Sequence, residues 1–166
     1  MENIIEFAYT GSIMWSKVHD LVSIVRDTDF LGLDDVRDQG IKILTSSLNS
    51  QNALDAYHLS NICGSILLKN KSQELILQNF DIVSRSEECL KMDAASIKDI
   101  LSTHPPTHCT EKFFEGILRW FVADLEKRKS HLDDILGLVD FSLFNGDKLI
   151  EIATDENILT KSKEHK

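Results

Sequence analysis

Two stretches of the chain bring chemistry-bearing side chains together. In the first, His104, His108, Cys109 and Glu111 surround Pro105 and Pro106, giving four potential metal ligands on one loop. Structural zinc sites take ligands at characteristic spacings, usually as pairs from two parts of the chain, and this single cluster matches none of those patterns. A solvated loop accounts for it more simply. In the second, Asp55, His58, Ser60 and Cys63 place an acid, a base and two nucleophiles on one helix. A Ser-His-acid relay needs its nucleophile raised on a strained turn of the G-x-S-x-G kind, and residues three apart on one helix do not converge on one reacting atom. A helix-face histidine near an acid is the better reading. With no glycine-rich phosphate loop either, neither catalysis nor a cofactor or metal is expected.

Bulk properties narrow the partners. A net charge of -9 and a pI near 5.1 argue against binding to nucleic acid or anionic membranes, because both need clustered Lys and Arg. The three cysteines, Cys63, Cys89 and Cys109, are an odd number without close pairing. Cys63 and Cys89 sit within apolar periodicity, so buried, inert thiols in a reducing cytoplasmic or nuclear compartment are expected. The opening residues MENIIEFAYTG carry acids and no basic flank, unlike a secretory leader. No window approaches the ~18 uninterrupted apolar residues of a membrane span.

The two prolines are adjacent and the seven glycines fall mostly at segment ends, which is helical punctuation. Ile4 to Tyr9 reads as a short helix ending at Thr10-Gly11, and Ser12 to Trp15 as a β-compatible stretch without a partner. Ser16 can cap a helix carrying Val18, Leu21, Val22 and Val25. After a turn at Phe30-Leu31-Gly32-Leu33, Asp34 and Asp35 suit the positive end of the next helix. Its inner face is Val36, Ile41, Ile43, Leu44 and Leu48. Asn49-Ser50 ends it, and Leu54, Tyr57, His58 and Ile62 continue the pattern to Cys63-Gly64, forming an antiparallel pair. Ser65 then caps a helix through Ile66, Leu67, Leu75 and Ile76.

From Glu74 to Ser102, apolar pulses broken at Asn79, at Ser84 to Ser86 and at Asp93 predict several short, closely packed helices. Thr110 caps the strongest helix, EKFFEGILRWFVADLEKRK. Its broad stripe of Phe113, Phe114, Ile117, Leu118, Phe121, Val122 and Leu125 predicts burial between neighbours. Trp120 could anchor an interface, though so apolar a helix places it in the core. The run Glu126 to Lys129 reads as a solvated helix end. Ser130 with Asp133 resembles a cap for a helix through Leu132, Ile135, Leu136 and Leu138. Asn145-Gly146 is a turn, a short helix follows around Leu149, Ile150 and Ile152, and residues 160–166 form a polar tail. Eight or nine helices and an all-α class are the result.

In that order the motifs resemble a known family. IIEFAYTGSI and VHDLVSIVRDTDFLGLDDVRDQGIKIL are similar to the last third of a BTB domain in Kelch-like proteins. The segments from SQNALDAYHLSNICGSILL to VDFSLFNGDKLIEIATDENIL resemble the BACK domain that follows it. Markers are Tyr9-Thr10-Gly11, Asn52 and Leu54, Asn79-Phe80, Leu90, Leu101-Ser102, Glu111 and Trp120. The resemblance divides the chain into residues 1–48 as the C-terminal part of a BTB domain, 49–159 as a BACK domain of antiparallel helix pairs, and 160–166 as tail.

The resemblance implies a non-enzymatic substrate adaptor for cullin-3 ubiquitin ligases. It implies contact with the cullin-3 N-terminal region through a surface near Tyr9 and Leu33, extended by a box of helices from about Ser50 to Asn70 that includes Asn52, Leu54 and Tyr57. The first strands and helices of a BTB domain are not in this sequence, so dimerisation through the usual BTB interface is not expected. Gly40 stands where the family often has a small buried Cys, and Asp140 where a basic residue is common. The alternative is a helical interaction or regulatory module without a ubiquitin role.

Overall fold

The computed structural model describes Tyr9, Ile13 and residues 20–103 and 111–139. The described residues contain helices and no strand: α1 (Leu21–Phe30), α2 (Asp34–Ser46), α3 (Ala53–Cys63), α4 (Ile66–Gln78), α5 (Phe80–Val83), α6 (Glu87–Lys91), α7 (Ala94–Ser102), α8 (Glu111–Ala123), α9 (Leu125–Arg128), the 3-10 turn Lys129–His131, and α10 (Leu132–Leu136). None of these is long and apolar enough to cross a membrane. Outside the described residues lie most of the predicted first helix, the stretch around Ile13, the ligand-rich loop from His104, the Asn145-Gly146 turn, the last helix and the tail.

By packing, the chain forms two compact units, Met1–Leu75 and Ile76–Lys166, dividing within α4. The boundary near residue 49 is one of family resemblance. The packing boundary falls later, because α3 shares its core with α1 and α2.

In the first unit, α1 is the common partner of α2 and α3. Asp20 caps it: one Asp20 oxygen accepts from the Ser23 amide at 3.0 Å and the other from the Ser23 hydroxyl at 2.6 Å, while the predicted cap Ser16 lies outside the described residues. The predicted acids Asp34 and Asp35 do occupy the first turn of α2. Val25, Ile41, Leu44, Ala56, Leu59 and Leu68 form the core, with Leu21, Val22, Leu48 and Cys63 against it. Gly64 takes a φ of +65° to end α3, a left-handed conformation that side chains disfavour. The Ser65 hydroxyl accepts from the Leu68 amide at 3.4 Å, as its position before α4 suggests.

The second unit confirms the punctuated reading of residues 74–102. A new helix starts after Asn79, after Ser86 and after Asp93. Ser86 Oγ accepts from the Cys89 amide at 3.2 Å, and Asp93 Oδ1 from the Ser96 amide at 2.7 Å. Of these short helices, α5 and α6 pack against α8, whose Phe113, Phe114, Ile117, Trp120 and Phe121 are all buried. Phe80 meets Phe113 with ring centroids 5.0 Å apart. Opposite Phe80 stands Gly116, where an added Cβ would lie 2.8 Å from both Phe80 Cδ1 and Ser84 Oγ. Glycine here is a packing requirement, which helix propensity alone would oppose.

The sequence predicts one helix from Glu111 to Lys129, but the chain breaks at Asp124 and runs on through α9 and the 3-10 turn. Ser130 does not cap α10; that position is held by His131, which makes no capping side-chain bond. The break lets the chain fold back so that Arg128 reaches the face of Trp120, and this contact is the physical reason for the departure.

Candidate protein-interaction surfaces

The histidine-acid-nucleophile set on α3 does not converge. Asp55 and His58 are exposed, while Ser60 is buried with its hydroxyl donating to the Tyr57 carbonyl at 2.6 Å. Burial raises the Cys63 thiol above its ordinary pKa, which lowers its thiolate content. Among the described residues no three His, Cys, Asp or Glu side chains gather as metal ligands would. His104, His108 and Cys109 lie outside them.

The residues implicated by resemblance separate into two kinds. Tyr9 is 87% exposed, and Leu33 is partly exposed at the start of α2. Leu54 and Tyr57, by contrast, are buried, Tyr57 to 1%. Asn52 ties the turn before α3: its Oδ1 accepts from the Asn49 amide at 2.8 Å and its Nδ2 donates to the Ser47 carbonyl at 3.3 Å. It also lines an open groove of about 320 Å³ with Asp20, Ser23, Arg26 and Asp55.

Sequence reading missed the large apolar side chains that face solvent. In the first unit these are Phe30 (89% exposed) and Leu31 in the α1–α2 turn, and Ile62, Ile66 and Leu67 at the α3–α4 corner. Periodicity assigned Ile62, Ile66 and Leu67 to the inner side of their helices; the structure turns them outward. The core is already filled by Leu59 and Leu68 from the same two helices. Ile82 and Val122 are the corresponding exposed side chains described in the second unit.

The α1–α2 turn is closely held. The amides of Leu31, Gly32 and Leu33 donate to the carbonyls of Asp27, Asp29 and Thr28 at 3.0, 3.1 and 2.9 Å, and Gly32 takes a φ of +69°. Beneath it, buried Thr28 donates its hydroxyl to the carbonyls of Ile24 and Val25 at 2.9 and 3.0 Å. Across it, Arg37 Nη1 reaches Asp29 at 3.3 Å and Asp34 at 2.7 Å, and Nη2 reaches Asp38 at 2.9 Å.

In the second unit the notable side chains are interior. Trp120 is fully buried, as its helix predicts, and its Nε1 donates to the Met92 carbonyl at 3.1 Å. Arg128 was expected in a solvated helix end, yet it is buried. It stacks on Trp120 with its guanidinium carbon 4.1 Å from the ring centroid and donates to the carbonyls of Trp120, Leu90 and Met92. Burial pulls its pKa below the ordinary value, opposed by the charge of Asp124 and by the neighbouring Cys89. Cys89 itself is pushed up to about 11 by burial, with Arg128 acting the other way. This is an inert thiol, as expected, and a structural clasp rather than a site.

With the geometry in place, comparison with known proteins adds the family. Residues 53–154 match the model of the family described as BACK, BTB And C-terminal Kelch. Kelch-like protein 25 of Homo sapiens is 30% identical over 160 residues, covering 96% of this chain and 27% of the relative. Kelch-like protein 7 of Rattus norvegicus is 23% identical over 165 residues, covering 99% and 28%. Kelch repeat and BTB domain-containing protein 8 of Mus musculus is 24% identical over 136 residues, covering 81% and 22%. The chain thus spans about a quarter of the length of the curated relatives it matches. A chain whose described residues are helical without a strand, and most of whose length matches that family's model, belongs to the BTB-BACK, Kelch-like family.

Proposed function

We propose that this chain is a non-enzymatic adaptor module for cullin-3 ubiquitin ligases and that the end of its first unit receives the cullin-3 N-terminal region. The observation that carries this reading is the outward placement of Phe30, Leu31, Ile62, Ile66 and Leu67 in the two segments that resemble the cullin-facing surface and its box. Large apolar side chains held outward contribute nothing to folding but gain free energy when a partner covers them, since burying apolar surface is worth roughly 25 cal/mol per Å². Tyr9 and Leu33 join the reading by resemblance, Tyr9 being exposed and Leu33 partly so. Asn52, Leu54 and Tyr57 support it from below, the first by ordering the turn into α3 and the other two by packing. No reaction is assigned to the chain; the ubiquitin chemistry belongs to the enzymes it would recruit.

Isothermal titration of the folded chain with the cullin-3 N-terminal region tests the proposal. Micromolar or tighter binding that falls at least tenfold in Ile66→Asp, an exposed position where a charge leaves the fold intact, is the expected result. No heat of binding from a chain with a cooperative melting transition would refute it.

A further inference from the structure

Phe30 and Leu31 can dock only if the turn that carries them keeps its shape without burying them. Backbone bonds and the left-handed Gly32 set that shape, and the Leu33 amide on the Thr28 carbonyl ties the N-cap of α2 to the last turn of α1; the side-chain link across the turn is a separate one. Leu33, at the N-cap of α2, offers no capping side chain. The cross-link comes from Arg37, whose guanidinium joins Asp29 in the last turn of α1 to Asp34 in the first turn of α2, and braces against Asp38. Arg37 and Asp29 are each about three-quarters covered, at 23% side-chain exposure, so the link is less screened than an ordinary surface pair. One guanidinium faces three carboxylates, although a single one would satisfy a simple ion pair. The planar fork is what allows one side chain to hold several oxygens in fixed directions.

We infer that Arg37 is a positioning residue for partner docking, acting through the turn to hold Phe30 and Leu31 outward. This rests on the adaptor reading above and adds a residue whose role is neither core packing nor direct contact. Phe30 supplies the contact and Arg37 its orientation. The effects of removing them must therefore overlap.

The test is a double-mutant cycle in the whole chain, with Arg37→Gln, Phe30→Ala and the combination titrated against the cullin-3 N-terminal region. Arg37→Gln alone is expected to weaken binding on the order of fivefold, and to add clearly less than that once Phe30 is alanine and only Leu31 remains to be positioned. A purely structural residue would weaken both backgrounds equally, and that additivity would overturn the inference. Hydrogen exchange of the free chain gives a reading without the partner. The Leu31, Gly32 and Leu33 amides should exchange several-fold faster in Arg37→Gln while core amides stay unchanged; unaltered turn amides would also overturn it. If Arg37→Gln does not fold, Asp29→Asn cuts the same link from the other side and must show the same overlap with Phe30→Ala. Failure of the wild-type chain to bind sinks the adaptor reading and this inference together, whereas additive losses sink the inference alone.

Discussion

Arg37 and Arg128 are satisfied in opposite ways. Arg37 lies near the surface of the first unit and is met by the carboxylates of Asp29, Asp34 and Asp38. Arg128 lies in the interior of the second unit, where an aromatic face and three backbone carbonyls receive it. A surface pair gains little Coulomb energy in high dielectric, so its contribution to folding is small. A buried guanidinium that loses its partners, or buried carbonyls that lose their donor, cost much more. The same residue type thus shapes a surface in one unit and closes a core in the other. A charge on the page of a sequence carries no sign of which it will do.

The contrast is most open to challenge through matched substitutions. Arg128→Met should lower stability by about 3 kcal/mol in urea unfolding, since it strips donors from the Leu90, Met92 and Trp120 carbonyls and leaves the indole face uncovered. Arg37→Met should cost under about 1 kcal/mol, and that small cost should shrink further in 1 M salt, where the screening length is about 3 Å. Equal losses in the two variants would erase the distinction between an interior clasp and a surface brace.

Packing in the second unit offers the next largest effect. Gly116→Ala should destabilise by about 1–2 kcal/mol, although alanine is the better helix former by about 1 kcal/mol. The added Cβ meets the Phe80 ring and Ser84, and both are buried with little room to move. A stabilised Gly116→Ala variant, seen as a raised Tm, would mean that α5 and α8 are less tightly joined than the structure has them.

A further effect belongs to the first unit and depends on pH. Ser23 bonds hold the Asp20 carboxyl below its ordinary pKa, through the side chain first and the backbone amide second. A depressed carboxylate pKa stabilises the fold above the unfolded-state value of about 3.9, and the contribution disappears as pH falls through the lower folded-state value. Asp20→Ala should therefore cost about 1 kcal/mol at neutral pH and progressively less below about pH 4. An acid-independent difference between wild type and variant would show that the cap is not ionic. No such pH dependence is expected around Arg128, whose guanidinium stays charged throughout.

Much of the helical plan was legible in the residues. Ser86 and Asp93 cap the helices that follow them, and Gly64 ends α3, because these signals act within one turn of backbone. Trp120 was readable as core from the breadth of its apolar stripe. The surface of the first unit was not. Tyr9 and Leu33 came from family resemblance, Phe30 read only as part of a turn, and Ile62, Ile66 and Leu67 looked like ordinary residues of amphipathic helices. Periodicity states which side chains share a face, but not whether another helix covers that face. Asp124 carried no break signal strong enough to compete with the helix formers around it.

By itself the sequence determined the helical class, most of the stops and starts between Ser65 and Ser102, and the family, since each depends on short-range chemistry or on the order of motifs. Tertiary structure decided which apolar residues remain outside and which charges go inside. Those choices turn on long-range packing: Leu59 and Leu68 fill the first core and leave Ile62, Ile66 and Leu67 without a place in it, and the carbonyls that receive Arg128 come from Met92 and Leu90, 36 and 38 positions away, as well as from Trp120 nearby.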